Sequence, residues 1–116
     1  MKLAPDAGAV EWLEGLAAGP EAFEWDAGNR AKQGKHGVRP TDVEALFDSP
    51  FVFAGRIVEP KHYEPRWILL GCDAGGRRLA LIFTRRGRRI RPISCRSMRR
   101  NEHKVFQEVM DEKSSG

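Results

Sequence analysis

Ten arginines fall between Arg77 and Glu102, namely Arg77, Arg78, Arg85, Arg86, Arg88, Arg89, Arg91, Arg96, Arg99 and Arg100. They are half of the 20 Lys and Arg of the chain, and Glu102 is the single acid among them. Guanidinium groups are costly to bury without partners, so most of these must face water or an anion. The chemistry that such a density supports is phosphate recognition, with a nucleic-acid backbone as the expected anion. The formal net charge is only +4, yet it is unevenly spread. Residues 1–30 carry six acids, Asp6, Glu11, Glu14, Glu21, Glu24 and Asp26, against Lys2 and Arg30. An acidic front and a basic rear favour an anionic partner on one face, or a partner with an acidic segment, over uniform stickiness.

These arginines need a scaffold, and hydrophobic periodicity predicts one. Arg66 to Cys72 and Arg77 to Thr84 read as a β-hairpin across Asp73-Ala74-Gly75-Gly76. Trp67, Leu69, Leu79, Leu81 and Phe83 alternate with Ile68, Leu70, Ala80 and Ile82, so both faces are apolar and a central strand pair covered on each side is expected. A second turn, Arg85-Arg86-Gly87-Arg88, leads to a strand over Arg89 to Cys95. Pro92 cannot donate to a ladder, which places that strand at an edge or bulges it there. From about Ser97 the period is helical, with Met98, Val105, Phe106, Val109 and Met110 on one stripe and 114–116 frayed.

Upstream, Val10, Leu13, Leu16 and Ala17 predict a helix over 8–18, ended by Gly19-Pro20. Ala22 to Trp25 reads as a first strand. A polar helix over 27–36 stops at Lys35-His36-Gly37. A helix over 40–47 carries a Thr41-x-x-Glu44 capping box, and Phe51 to Val58 is a strand interrupted at Gly55. The summed order is α, β, α, α, β, β, β, β, α. That is an α+β domain with an antiparallel sheet of about four to five strands, two helices after the first strand and a C-terminal helix, plus an extra N-terminal helix.

At 116 residues, 41% hydrophobic and 31% charged, the chain reads as one ordinary domain. It divides into an N-terminal extension, 1–20, and a main domain, 21–112. No run of 18 apolar residues occurs, and Asp6, Glu11 and Glu14 stand where a signal peptide would be basic and then apolar, so a cytoplasmic protein without membrane contact is expected. Cys72 and Cys95 end strand-like runs and read as a reduced pair. Neither has a second Cys or His at ligand spacing, so no metal and no cofactor are expected.

Three segments together resemble the BrnT-type toxins, which have the RelE-like ribonuclease fold. The first is Phe23-Glu24-Trp25-Asp26, with Lys35-His36-Gly37-Val38 and Glu44-Ala45-x-Phe47-x-x-Pro50. The second is the strand pair with Arg66 before it and Gly76-Arg77-x-Leu79 inside it. The third is Arg91-x-Ile93-Ser94-x-Arg96, with Glu102 following. The likeness covers roughly residues 21 to 110 and departs from the family pattern at Pro92, where an aliphatic residue is usual, and at Phe106, where a tyrosine is often found.

The resemblance implies a toxin that cuts RNA and inhibits translation until a cognate DNA-binding antitoxin, BrnA-like, wraps it; a homodimer and a toxin-antitoxin hetero-oligomer both fit. Metal-free RNA cleavage needs a group to take the 2′-hydroxyl proton, cations to neutralise the phosphorane, and an acid for the leaving 5′-oxygen. Arg91 and Arg96 are then expected at the phosphate, Lys35 and His36 as proton-transfer groups, Arg66 closing the site, and Glu102 orienting an arginine or accepting a proton. Arg77, Arg85, Arg86, Arg88, Arg89, Arg99, Arg100 and His62 would contact the RNA. Plainer roles stand beside each of these. Arg91 and Arg96 also read as a solvated charge run or an ion pair to Glu102, Lys35-His36 as a helix cap, His62 as a surface histidine, and Trp12 and Trp67 as core. A non-catalytic module of the same kind, binding nucleic acid or an antitoxin partner, is the alternative to an enzyme, and a purely structural oligomerisation domain would leave the arginines unexplained.

Overall fold

In a computed structural model, which describes residues 1–16 and 19–115, five strands and four helices alternate in the expected α+β sense. The elements are β1 (Lys2–Ala4), α1 (Ala7–Glu14), α2 (Ala27–Gly34), α3 (Pro40–Ala45), β2 (Val52–Glu59), β3 (Trp67–Cys72), β4 (Arg78–Arg86), β5 (Arg89–Ser97) and α4 (Arg100–Ser115). The strands form one antiparallel sheet in sequence order, from β1 at one edge to β5 at the other.

The double alternation of the central hairpin produces two cores. On one face Leu69, Leu79, Leu81, Phe83, Ile90 and Cys95 are covered by Leu13 of α1, Val43 of α3 and its following Leu46, and by Phe23. On the other face Ile68, Leu70 and Ala80, with Val52 and Ile57, lie under Met98 and Phe106. Each such side chain, fully buried, contributes on the order of 1.5–3 kcal/mol. Helix α4 covers only part of its face, and the uncovered part matters below.

Proline chemistry in β5 plays out in both of the expected ways. β5 is an edge strand, and its pairing with β4 slips between Phe83↔Pro92 and Ile82↔Ser94, which leaves Ile93 as an unpaired extra residue. Gly55 is likewise a bulge, at φ 137°, where an added Cβ would stand 2.9 Å from the Ala4 carbonyl oxygen. That absent side chain is what lets β1 approach.

Some local expectations are corrected. Ala22 to Trp25 is not a strand. Pro20–Ala22 is a 3₁₀ turn, and Phe23 makes one parallel bridge to Ile90, with Glu24 N–H donating to the Ile90 carbonyl at 2.8 Å. The segment cannot extend because Asp26 already caps α2, accepting from Asn29 N–H at 3.0 Å. The first strand is β1 instead, too short at three residues to show a period. Helix α1 ends at Glu14, and the expected positions 17–18 lie outside the described residues, as does Gly116. Thr41 and Glu44 do not cap α3. Asp42 accepts from Arg39 N–H at 2.8 Å, while Glu44 accepts from Trp25 Nε1 at 3.0 Å. Trp67 packs at 5.9 Å on Phe83 and donates to Asp6 at 2.8 Å. Both cysteines are free thiols; Cys95 is buried and Cys72 half-buried.

Candidate functional site

The bulge in β5 decides where its arginines point. Arg91 and Arg96 are five positions apart, which in a regular strand puts them on opposite faces. The extra residue at Ile93 restores them to one face, opposite Ile90 and Cys95. Each is then taken by carboxylates. Arg91 donates to Glu24 Oε1 at 3.1 Å and pairs with Asp26 Oδ2 at 2.9 Å. Arg96 makes a two-pronged contact with Glu102, at 2.7 and 3.1 Å, and Glu102 also accepts from Arg99 N–H at 2.7 Å, capping α4. Burial raises the Glu102 carboxyl, but the Arg96 contact and the Arg99 N–H outweigh it, so it is held below its ordinary value. Asp26 is held low by the Asn29 N–H and then by Arg91.

The remaining arginines are mostly braces as well. Arg77 links Asp73 (3.1 Å), Asp42 (3.3 Å) and the Gly37 carbonyl (3.0 Å), tying the α2–α3 link to the β3–β4 turn. Arg86 pairs with Glu64 at 3.1 Å. Arg89 donates to the Glu21 and Phe23 carbonyls, and Arg78 to Gln107 while lying over Phe106 at 5.2 Å. Arg85 lies 4.8 Å over the Trp12 ring. Arg88, Arg99 and Arg100 are exposed.

A different environment occurs where α4 leaves the sheet open. Lys32, His62, Arg66 and Ser94 converge on a recess of about 240 Å³ floored by Ile57, Ile82 and Ile93. Its lining contains no carboxylate. Arg66 Nε is buried with no hydrogen-bond partner, and none of the ion pairs among the described residues includes it. The loop bearing His62 is fixed by two contacts. Buried Thr84 donates its hydroxyl to the Pro65 carbonyl at 2.7 Å, and the Glu64–Arg86 pair holds the next position. Two larger grooves, of about 450 and 440 Å³, are lined mainly by apolar side chains.

Of the residues singled out from sequence, Arg66 and His62 therefore share one recess, and Arg91 and Arg96 share the sheet face beside it. Lys35 and His36 are exposed just beyond the C-terminus of α2 and do not line the recess. Lys32, one turn earlier on the same helix, does, and it was missed together with Ser94. The signal for Lys32 was its position three residues before Lys35, but choosing between them requires knowing how α2 lies along β5, which Asn29 fixes by donating to the Pro92 carbonyl at 3.1 Å.

Among the described residues, no group of three or more His, Cys, Asp or Glu side chains is placed to hold a metal ion. No helix is long and apolar enough to cross a membrane. In comparisons with known proteins, one family model matches residues 25–102, described as a ribonuclease toxin, BrnT, of type II toxin-antitoxin systems. No curated protein matches the chain.

Proposed function

The chain belongs to the BrnT family of ribonuclease toxins of type II toxin-antitoxin systems, and on that premise we propose that it cleaves RNA in the cytoplasm without a metal ion, inhibiting translation until a BrnA-like antitoxin covers it. The observation that carries the site is Arg66, an arginine facing an open, acid-free recess with Nε unpaired, beside Lys32 and His62. A recess lined by such groups attracts a phosphodiester and repels a divalent cation, which supports the metal-free reading.

In the reaction, the ribose 2′-oxygen attacks phosphorus as its proton passes to a base, and the phosphorus–5′-oxygen bond breaks as that oxygen takes up a proton. A 2′,3′-cyclic phosphate and a 5′-hydroxyl result. His62 fits the proton-transfer role, since an imidazole can take or give a proton near neutral pH. Arg66 and Lys32 fit the charge-neutralising role. Arg91 and Arg96, with Glu102, hold the strand that presents Ser94, and Lys35, His36 and the exposed arginines receive flanking phosphates.

One observation favours a second reading, the non-catalytic binding module. Arg91 and Arg96, the arginines of the family-like motif, are already neutralised by acids. Incubating the protein with RNA in EDTA beside Arg66→Ala and Arg96→Ala separates the two. Cleavage by the wild type that collapses in Arg66→Ala supports the enzyme at this recess. Wild-type cleavage no faster than Arg66→Ala leaves the binding module.

A further inference from the structure

The loop that carries His62 and Arg66 also carries Tyr63, the single tyrosine of the chain. Its relative exposure is 106%, and among the described residues it is the only exposed large aromatic. The other aromatic side chains are engaged. Trp12 lies under Arg85, Trp25 donates to Glu44 and Trp67 to Asp6, and Phe23, Phe47 and Phe51 contact one another. Tyr63 stands free in water although its neighbours are held. Glu64 is paired with Arg86, the Pro65 carbonyl accepts from Thr84, and the Arg66 carbonyl accepts from Ile57 N–H at 2.8 Å. A lone exposed aromatic is ordinary on a protein surface. A lone aromatic on a braced loop, directly between two side chains of the recess proposed for phosphate, is less so.

We propose that Tyr63 is a stacking platform for a nucleobase of single-stranded RNA, the phosphate of the same nucleotide or the next lying in the recess beneath it. This rests on the reading of the recess given above and adds to it a residue outside the motif-bearing strand. Every base has a π-face, so the platform contributes affinity and positioning without demanding a sequence. The braces mean that little loop ordering remains to be done on binding. Arg88, exposed at the β4–β5 turn and reached from the loop through the Glu64–Arg86 pair, would continue the phosphate track beyond the stacked base.

The test uses a fluorescein-labelled 2′-O-methyl oligonucleotide, which cannot be cut by 2′-hydroxyl attack, and an abasic oligonucleotide of the same length. Binding is read by anisotropy for the wild type, Tyr63→Ala, Tyr63→Phe and Arg66→Ala. Tyr63→Ala is expected to bind the base-bearing strand about fivefold or more weakly, the lower end of what one stacked base contributes. It should bind the abasic strand like the wild type, and Tyr63→Phe should retain the affinity. Unchanged affinity in Tyr63→Ala, an equal loss on the abasic strand, or an equal loss in Tyr63→Phe would each overturn the stacking role. Arg66→Ala binding both strands as tightly as the wild type would overturn the recess and the platform together, whereas a loss in Arg66→Ala without one in Tyr63→Ala would remove the platform alone. Because Tyr63 is fully exposed, its replacement should leave the circular dichroism and melting temperature unchanged.

Discussion

The arginines of β5 and the arginine at the start of β3 meet opposite surroundings on the same sheet face. Arg91 has two carboxylates, Glu24 and Asp26, so its neighbourhood carries a formal excess of negative charge, and Arg96 is balanced by Glu102. Arg66 has Lys32 and His62 for neighbours in the recess and no acid. A phosphate approaching Arg91 must displace acids already seated; one approaching Arg66 displaces only water. Arginine density along a sequence therefore overstates the anion-binding surface, because a guanidinium already spent on an intramolecular carboxylate serves the fold.

The sharpest way to break this comparison is to remove each kind of arginine. Arg66→Ala should lower the rate of RNA cleavage by about 10²–10³-fold, the usual cost of losing a preorganised donor at the reacting group, with the melting temperature little changed. Arg91→Ala should do the reverse, lowering the melting temperature with a far smaller effect on rate. A rate loss in Arg91→Ala equal to that in Arg66→Ala, without loss of stability, would erase the distinction. Next in size, Glu102→Gln should destabilise the protein by about 1–2 kcal/mol in urea unfolding. That is below the usual cost of breaking a fully buried pair because both partners retain some exposure.

Acid sharpens the contrast from the carboxylate side. Glu102 is held below its ordinary 4.5, and Asp42 and Asp6 below 3.8, the first of these two chiefly by Arg39 and the second by the Trp67 N–H. Groups depressed in the folded state contribute stability that is fully present above those ordinary values and is lost as pH falls through the depressed ones. The melting temperature should thus be flat from neutrality down to about pH 5 and fall below it, with a shallower fall in Glu102→Gln. The smallest expected effect is on salt dependence. Lys32→Ala should reduce the slope of log affinity for single-stranded RNA against log salt by about 0.7, one phosphate contact, whereas Arg77→Ala should leave it alone.

Much of the scaffold was legible because it rests on local rules. The two-sided apolar alternation of Trp67–Cys72 and Leu79–Phe83 could only be a covered central pair, and Pro92 announced both an edge and a bulge through its missing N–H. The consequence of that bulge, Arg91 and Arg96 on one face, was not legible, since which residue is left over depends on the partner strand. Nor were the partners of the arginines. Glu24 lies 67 positions before Arg91 in the chain, and Glu44, which looked like half of a capping box, is taken by Trp25, 19 positions away. Lys32 and Ser94 become neighbours of Arg66 only after β5 and α2 have been laid against each other, so no spacing within one segment could reveal the recess.

The two borders of the sheet carry a last consequence. On one side the ladder finishes in a strand of three residues that begins with Lys2; on the other, the outermost backbone already has Phe23 and Glu24 laid along it. Neither border offers a second molecule a long run of open amides and carbonyls to copy. A protein that accumulates beside its own inhibitor should accordingly resist polymerising into fibrils even when it is abundant.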